Sequence, residues 1–154
     1  MLRHEEDRRH LNRAVELALA AEASGNLPIG AVIALDGRIV GEGGNGIHAP
    51  AFHPGRHAEI QALRAVPSEN WSRASELTCY TTLEPSVMCY GALVQLVVGR
   101  VVFGAHDPLG GAISIVDCLP AYVREKARSI AWIGPALPEV CDPLAARAIE
   151  RFRT

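Results

Sequence analysis

The sequence has little positive charge beyond its arginines. It contains a single lysine, Lys126, and its formal net charge is −2 at pH 7 with an isoelectric point near 6.3. Such a chain has no overall positive field that would attract nucleic acid or an anionic membrane. The arginines are scattered along the chain, so a polyanionic substrate is not favoured, although a local basic patch is not excluded.

The sequence also lacks long apolar runs and closely spaced cysteines. No stretch approaches the roughly 18 uninterrupted apolar residues of a membrane span, so we expect no membrane association. The densely charged segment 1–10 does not resemble an export signal. None of the four cysteines belongs to a Cys-x-x-Cys pair, which excludes a zinc ribbon or a redox motif of that type. These absences predict a cytoplasmic protein with reduced thiols.

The length and the apolar pattern predict one α/β domain over residues 1–154. Apolar residues at helical spacing, including Leu11, Ala18 and Leu19, predict a first helix. The dipeptide Asp36-Gly37 is typical of a hairpin turn. Strands are expected at 29–35, 38–43, 77–82, 101–105 and 130–133, with later helices near 57–66, 86–97, 122–127 and 143–152. This order predicts a three-layer α/β/α sandwich around a mixed five-stranded sheet, with the strands at 77–82 and 101–105 parallel.

Two short motifs contain residues that bind metals and carry protons. His57 and Glu59 lie two residues apart at the expected start of a helix. About 27 residues later, Pro85, Ser86 and Cys89 follow a predicted strand and open the next helix. Residues 86 and 89 are one helical turn apart on one face. A His-x-Glu pair alone is common by chance, whereas the two motifs in this strand–helix context are specific.

The two motifs resemble those of the zinc nucleobase deaminases, in which His-x-Glu is followed by Pro-Cys-x-x-Cys. Here serine stands at position 86, where the family has its first cysteine. Further similarity covers almost the whole chain, at residues 27–32, 41–45, 57–63, 81–93 and 99–107. The chain resembles the cytidine/deoxycytidylate deaminase superfamily, in the branch of tRNA adenosine deaminases, guanine deaminases and fungal-type cytosine deaminase. This resemblance implies a cytidine deaminase-like fold, a Zn²⁺ cofactor and a homodimer.

The resemblance also implies roles for the motif residues. His57 and Cys89 would be zinc ligands, Ser86 would occupy the substituted ligand position, and Glu59 would be the catalytic proton carrier. Zinc with three protein ligands and an open fourth position lowers the pKa of its water to about 7. A carboxylate beside that water can take a proton and return it to the ring nitrogen and the leaving ammonia.

Three further residues would bind the substrate by the same resemblance. Asn45 would form a hydrogen bond with it, the backbone N–H of Ala58 would do likewise, and Asp107 would lie near the pocket mouth. Asn45 and Asp107 also have a simpler interpretation as turn residues, Asn45 in a glycine-rich loop and Asp107 before Pro108.

Ser86 leaves several interpretations open. It is a poor zinc ligand beside a thiolate, so zinc held by His57, Cys89 and waters would bind more weakly. Alternatively, its hydroxyl or a water bound to it completes the metal shell, or the chain has lost its metal and acts as a structural subunit. Ser86 would also cap a helix N-terminus, as serine commonly does. Cys79 on the preceding strand is a possible substitute ligand, but we expect it in the core.

The residues around the motifs favour a small amino-heterocycle over tRNA. Segment 108–111, Pro-Leu-Gly-Gly, lacks the lysine and polar residues of the tRNA-acting members, and 53–56 is His-Pro-Gly-Arg in place of their Asp-Pro-Thr type. We therefore expect a free base, a nucleoside or a related heterocycle such as a triazine as substrate. The alternative is adenosine in tRNA. The sequence leaves the roles of four nearby residues undetermined: His48, His53, Arg56 and His106.

Overall fold

The computed structural model describes residues 4–152, which are built around a mixed five-stranded sheet. Its strands are β1 (Gly30–Leu35), β2 (Arg38–Gly44), β3 (Thr78–Leu83), β4 (Arg100–Ala105) and β5 (Ala131–Ile133), in the spatial order β2-β1-β3-β4-β5. The helices of this range are α1 (His4–Ala23), α2 (Ala58–Ala65), α3 (Val87–Leu96), α4 (Ala121–Ser129) and α5 (Pro138–Phe152), with 3₁₀ segments at Ser68–Glu76 and Ile113–Cys118. None of these helices is long and apolar enough to cross a membrane.

The sheet is covered by helices on both faces. Helices α1 and α5 contact each other on one side, and α2, α3 and α4 form a contiguous layer on the other. Every residue of β1 and β3 is buried, as expected for strands covered on both sides. Strand β1 is antiparallel to β2 and β3, whereas β3, β4 and β5 run parallel. The predicted three-layer sandwich and the predicted parallel pairing of β3 with β4 are confirmed.

The hairpin turn between β1 and β2 is also confirmed. Asp36 and Gly37 have φ values of 52° and 74°, so both adopt left-handed backbone. A two-residue turn of this kind matches the right-handed twist of the flanking strands. The turn positions β2 so that its far end, at Gly44, leads into the loop beside β1.

Two details of the predicted helices are wrong. Helix α5 begins at Pro138, five residues before the expected start at Pro143, which lies inside the helix. Proline normally disfavours the interior of a helix. Here Leu137 and Cys141, which precede Pro143, are buried in the core, and their packing keeps this segment helical. In α1, Leu19 is 48% exposed although its spacing places it near the apolar face. The neighbouring Ala21 is buried instead.

Gly104 lies on β4 where α5 packs closely against the sheet. A Cβ atom at this position would lie 2.9 Å from the Cβ of Cys141 and 3.0 Å from the carbonyl oxygen of Thr82. We expect Gly104→Ala to lower the free energy of unfolding by about 1–3 kcal/mol, the usual cost of overpacking a core.

Gly91 in α3 provides the matched control for this prediction, because a Cβ atom there meets nothing within 4 Å. We expect Gly91→Ala to raise stability by roughly 0.5–1 kcal/mol through improved helix propensity. Urea denaturation followed by circular dichroism measures both variants. Equal effects of the two substitutions would contradict the close approach of α5 to β4.

Candidate metal and active site

Two helix N-termini meet beside β3, the central strand of the sheet, and bring the motif residues together. His57 is the N-cap residue of α2, and Glu59 lies in the first turn of that helix. Ser86 is the N-cap residue of α3, and Cys89 lies in its first turn. Because α2 and α3 pack beside each other, these four side chains converge from two different segments of the chain.

The distances within this group fit a tetrahedral zinc site. His57 Nδ1 lies 3.5 Å from Cys89 Sγ and 3.4 Å from Ser86 Oγ. Zinc bonds of about 2.0–2.3 Å at tetrahedral angles give ligand–ligand separations of roughly 3.3–3.8 Å. One ligand atom from each of His57, Glu59 and Cys89 also lies within 4.8 Å of the others. The donor set of nitrogen, sulfur and oxygen therefore suits zinc in both geometry and chemistry.

Ser86 has two sets of contacts at this point. Its Oγ lies beside His57 Nδ1, and it also accepts a hydrogen bond from the backbone N–H of Cys89 at 3.4 Å. The second contact is long for a hydrogen bond. Ser86 thus caps α3, as one interpretation of the sequence expects, while its hydroxyl also lies 3.4 Å from His57 Nδ1.

Glu59 is held in a fixed orientation inside the site. Its side chain is buried, and Oε1 accepts a hydrogen bond of 2.7 Å from the hydroxyl of Thr81 on β3. The other carboxylate oxygen, Oε2, accepts a hydrogen bond from Cys89 Sγ at 3.2 Å. One oxygen is therefore anchored to the sheet, and the other faces the residues that would hold the metal.

Burial raises the pKa of the Cys89 thiol well above its usual range, and the negative charge of Glu59 adds to this effect. The protonated thiol agrees with its hydrogen bond to Glu59 Oε2. A metal ligand must be a thiolate, so metal binding at Cys89 is coupled to loss of this proton.

A small cavity adjoins the cluster. It encloses about 30 Å³, which is enough for one or two water molecules. The residues that line it come from all parts of the chain: Ile29, Asn45, His57, Ala58, Glu59, Leu83, Glu84, Ser86, Asp107 and Phe152. Three of the four motif residues and all three expected substrate-binding residues are therefore found at one cavity.

Asn45 combines a structural contact with a polar atom that has no partner. Its Oδ1 accepts hydrogen bonds from the backbone N–H groups of Leu27 and Ile47, both at 3.3 Å. Its Nδ2 is buried and has no hydrogen-bond partner among residues 4–152. A buried amide donor without a partner is costly, so this atom is suited to an acceptor on a ligand. Ala58, as the first residue of α2, offers a backbone N–H that the helix itself does not use.

Asp107 lies at the cavity and also forms a turn. Its Oδ1 accepts hydrogen bonds from the backbone N–H groups of Leu109 and Gly110 at 2.9 and 3.0 Å. The turn interpretation of Asp107 is therefore correct, and its position at the cavity is compatible with both interpretations.

The other candidates from the sequence lie outside the cavity lining. Cys79 is fully buried on β3 and is not part of the metal-binding cluster found in the described chain. His48, His53 and His106 do not line the cavity, and the guanidinium of Arg56 donates a hydrogen bond to the carbonyl oxygen of Ala51. The interpretation of Cys79 as a core residue is thus supported by its burial.

Three residues at the site have no assigned role in the sequence motifs: Thr81, Glu84 and Phe152. The carboxylate of Glu84 accepts hydrogen bonds from the backbone N–H groups of Asp107 and Ile113, and it lies 3.0 Å from His106 Nδ1. Glu84 therefore fixes the segment that follows β4 beside the cavity. Its sequence signal was an acidic residue between a strand and Pro85, whereas Phe152 had no signal because it is distant in sequence.

Comparison with known proteins agrees with this geometry. The family model of the cytidine and deoxycytidylate deaminase zinc-binding region matches residues 4–105. The tRNA-specific adenosine deaminase of Haemophilus influenzae is 45% identical over 115 residues, which are 73% of this chain and 65% of that protein. The tRNA-specific adenosine deaminase of Buchnera aphidicola is 40% identical over 153 residues, which are 97% of this chain and 92% of that protein.

A solved structure described in studies of A-to-I editing by tRNA:A34 deaminases superimposes with a TM-score of 0.75 at 25% identity. This similarity covers 89% of the present chain and 99% of the other. The matched region contains both motifs and the strands that position them. The chain belongs to the cytidine and deoxycytidylate deaminase family, and it is a hydrolytic deaminase that acts on C–N bonds with zinc as its cofactor.

Proposed function

We propose that this deaminase hydrolyses the exocyclic amine of adenosine in tRNA to inosine, with release of ammonia. The observation that carries the chemistry is the convergence of His57, Ser86 and Cys89 beside the carboxylate of Glu59. In the overall reaction a C–O bond to water oxygen forms, the C–N bond breaks, and the protons of water pass to the base and the leaving ammonia.

His57 and Cys89 would hold the zinc, with Ser86 at the third position. Zinc bound there supplies a Lewis acid that makes water nucleophilic near neutral pH. Two strong protein ligands, rather than three, predict weaker metal binding than in a site with a second thiolate. This proposal favours the interpretation in which Ser86 contributes its hydroxyl or a water, because its Oγ is at a ligand-like distance from His57 Nδ1.

Glu59 would move the protons. Thr81 donates a hydrogen bond to Oε1, which leaves Oε2 as the oxygen directed to the metal ligands. This oxygen would take a proton from the attacking water and return it to the ring nitrogen, and then to the leaving group. Burial of the carboxylate excludes bulk water from these steps.

Asn45 and the N–H of Ala58 would orient the base. The unpartnered Nδ2 of Asn45 would donate a hydrogen bond to an acceptor of the substrate, and the Ala58 N–H would donate a second. Both groups line the cavity that adjoins Glu59. Asp107 would contribute to the shape of the cavity mouth, in a position fixed by its turn.

Asn45→Asp tests the donor without removing the structural acceptor. The carboxylate still accepts from the N–H groups of Leu27 and Ile47, but it has no hydrogen to donate. We expect kcat/KM to fall roughly fivefold to hundredfold, since an unsatisfied polar group costs about 1–3 kcal/mol. Steady-state ammonia release measures this, with Asn12→Asp on the exposed side of α1 as the matched control. An unchanged kcat/KM would exclude Asn45 from substrate binding.

The choice of tRNA rests on the relatives and on one surface feature. The relatives named tRNA-specific adenosine deaminases include one aligned over 97% of this chain. Two open surface depressions share Arg56 and Gln61: Asn45 also lines the first, and Arg64 and Glu42 line the second. Arginines in these depressions suit the phosphates of a polynucleotide. This proposal departs from the sequence-based preference for a small heterocycle, because the total charge of a chain does not describe the charge beside one cavity.

A free base or nucleoside is the second candidate substrate. Two observations favour it: the single lysine of the chain, and the uncharged segment 108–111 directly after Asp107 at the cavity. Few phosphate contacts predict weak tRNA binding with a shallow dependence on salt.

Activity assays with zinc-loaded protein distinguish the two candidate substrates. We expect inosine to form in a tRNA with adenosine at the wobble position, at a rate that falls with rising salt. The same preparation is tested for ammonia release from free adenine, adenosine, guanine, cytosine and an aminotriazine, with Glu59→Gln protein as the blank. Ammonia from a free base or nucleoside, with no inosine in tRNA, would replace the first proposal by the second. No turnover of any of these compounds would contradict both.

A further inference from the structure

A large open cleft lies between α1 and the β1–β2 hairpin, far from the metal site. It encloses about 870 Å³, which is within the size range of pockets for small molecules. None of the residues that line it also lines the cavity at the metal site. The pairing of β1 with β2 runs from Gly44, the residue before Asn45, to Arg38 at the hairpin turn. The cleft and the metal site therefore lie at opposite ends of the sheet.

The cleft carries positive charge in a chain that is acidic as a whole. Four arginines and two glutamates line it, which gives a net charge of +2, whereas the whole chain has −2. One of these arginines, Arg13, is already neutralised. Its guanidinium donates hydrogen bonds to Glu42 at 2.8 and 2.9 Å and to Glu16 at 2.7 Å. The positive charge that remains available belongs to the other three arginines.

Arg9 and Arg38 meet at the hairpin turn with most of their donors unused. Arg9 donates a hydrogen bond of 3.3 Å to the carbonyl oxygen of Gly37, which holds its guanidinium beside the turn. The guanidinium of Arg38 forms no hydrogen bond or ion pair within residues 4–152. The neighbouring carboxylate of Asp36 binds Arg73 through both of its oxygens instead. Two exposed cations from different elements are thus directed to one cleft without a carboxylate between them.

His10 adds a buried polar group to the same cleft. Its exposed fraction is 2%, and its ring packs on Tyr80 with 4.8 Å between the ring centroids. Its Nδ1 has no hydrogen-bond partner within residues 4–152, which is rare for a buried polar atom. Burial and the charge of Arg9 lower the pKa of His10, so the ring is neutral at pH 7. Each nitrogen of a neutral imidazole has one hydrogen bond to form, and Nδ1 has this one left for a ligand.

We propose that the cleft between α1 and the hairpin binds a small phosphorylated sugar, either a sugar phosphate or a nucleotide, with its phosphate between Arg9 and Arg38. This inference goes beyond the proposed deaminase function and does not depend on it. A phosphate monoester has three terminal oxygens, so it can accept hydrogen bonds from two guanidinium groups at once. Its charge of nearly −2 at pH 7 also matches the net charge of the cleft.

The rest of the cleft favours a single phosphate with an organic part over a polynucleotide backbone. The carboxylates of Glu5 and Glu16 also line it, and they repel any phosphate that follows the first. The same carboxylates can accept hydrogen bonds from sugar hydroxyls. Ile39 and the aliphatic stems of the arginines provide apolar surface for the remainder of the ligand.

Isothermal titration calorimetry of the zinc-loaded protein tests this inference with uridine 5′-phosphate and ribose 5-phosphate. Neither probe carries an exocyclic amine on which a deaminase acts. We expect a Kd of about 1 mM or lower. Uridine, which lacks the phosphate, should bind at least about tenfold more weakly. Equal binding of the two esters would identify a sugar phosphate as the ligand class, and tighter binding of the uridine ester a nucleotide.

Substitutions locate the binding site. Arg9→Ala and Arg38→Ala should each raise the Kd on the order of tenfold, as expected for loss of charge-assisted hydrogen bonds. Arg128→Ala removes an exposed arginine of α4 outside the cleft and should leave the Kd unchanged. Asn45→Asp at the metal-site cavity should also leave it unchanged. Circular dichroism and the zinc content verify that each variant is folded.

Four results would contradict the inference. The first is no binding of either ester at millimolar concentration. The second is binding that Asn45→Asp removes while both cleft variants retain it, which would place the ester at the metal site. The third is inorganic phosphate that binds as tightly as the esters, because the cleft would then recognise only the ion. The fourth is an RNA hairpin that requires Arg9 and Arg38 while neither ester binds, which would assign the cleft to a polynucleotide.

Discussion

Glu59→Gln is expected to reduce the rate of deamination by at least about 10²-fold, the lower range for loss of a general acid–base group. The amide retains the size of the side chain, and its oxygen can still accept the hydrogen bond from Thr81. It cannot take a proton from water and return it. The fold and the zinc content should therefore remain as they are while the chemical step is lost.

Single-turnover ammonia release and elemental analysis of the same preparation measure this prediction. Glu125→Gln, an exposed residue of α4, is the matched control and should have unchanged activity. Full activity in Glu59→Gln would mean that another group moves the proton. A loss of activity together with a loss of zinc would mean instead that Glu59 is needed to hold the metal.

Ser86→Cys is expected to raise the affinity for zinc on the order of 10²-fold. An apparent zinc-binding free energy of about 10–16 kcal/mol shared by four ligands corresponds to roughly 3 kcal/mol for each. The thiolate is a softer and stronger ligand than the serine hydroxyl, and position 86 already lies beside His57 Nδ1. If the natural protein binds zinc incompletely, its turnover should rise as well.

Competition with a chromophoric chelator measures the zinc affinity directly. Ser68→Cys adds one thiol to an exposed position away from the cluster and controls for nonspecific binding. Unchanged affinity in Ser86→Cys would mean that residue 86 is outside the metal shell. The proposed position of the α3 N-terminus at the metal would then be wrong.

Ser86→Ala separates the remaining interpretations of this residue. If the hydroxyl or a water bound to it completes the shell, the alanine variant should bind zinc more weakly than the natural protein. If Ser86 only caps α3, zinc affinity should stay the same, and stability should fall by about 1 kcal/mol. Chelator competition and urea denaturation of the same variant measure the two outcomes.

The proximity of site residues that belong to one short segment could be predicted from the sequence. His57 and Glu59 are two residues apart at a helix start, and residues 86 and 89 are one turn apart in the next helix. Helical geometry alone brings the members of each pair to one side of their helix. The parallel pairing of β3 with β4 and the Asp36-Gly37 turn followed from local patterns in the same way.

Local patterns failed where packing overrides them. The helix α5 continues through Pro143 because Cys141 packs against β4 at Gly104, which proline chemistry alone does not indicate. Leu19 has the spacing of a buried residue, yet it is exposed. The same limit applies to the prediction of a small substrate. That prediction used the number of lysines in the whole chain, which does not show that Arg56 and Arg64 line one surface depression.

The sequence by itself determined the fold class, the family and the chemical types of the metal site, because these depend on short motifs and on the order of helices and strands. Only the tertiary structure decided how the two motifs meet. Helix α2 packs against β1, β3 and α3, and this packing places the starts of α2 and α3 side by side. It also decided the anchor of Glu59 at Thr81 and the placement of Phe152 over the cavity. The physical reason is that these contacts join residues far apart in the chain, and their distances depend on the packing of several elements at once.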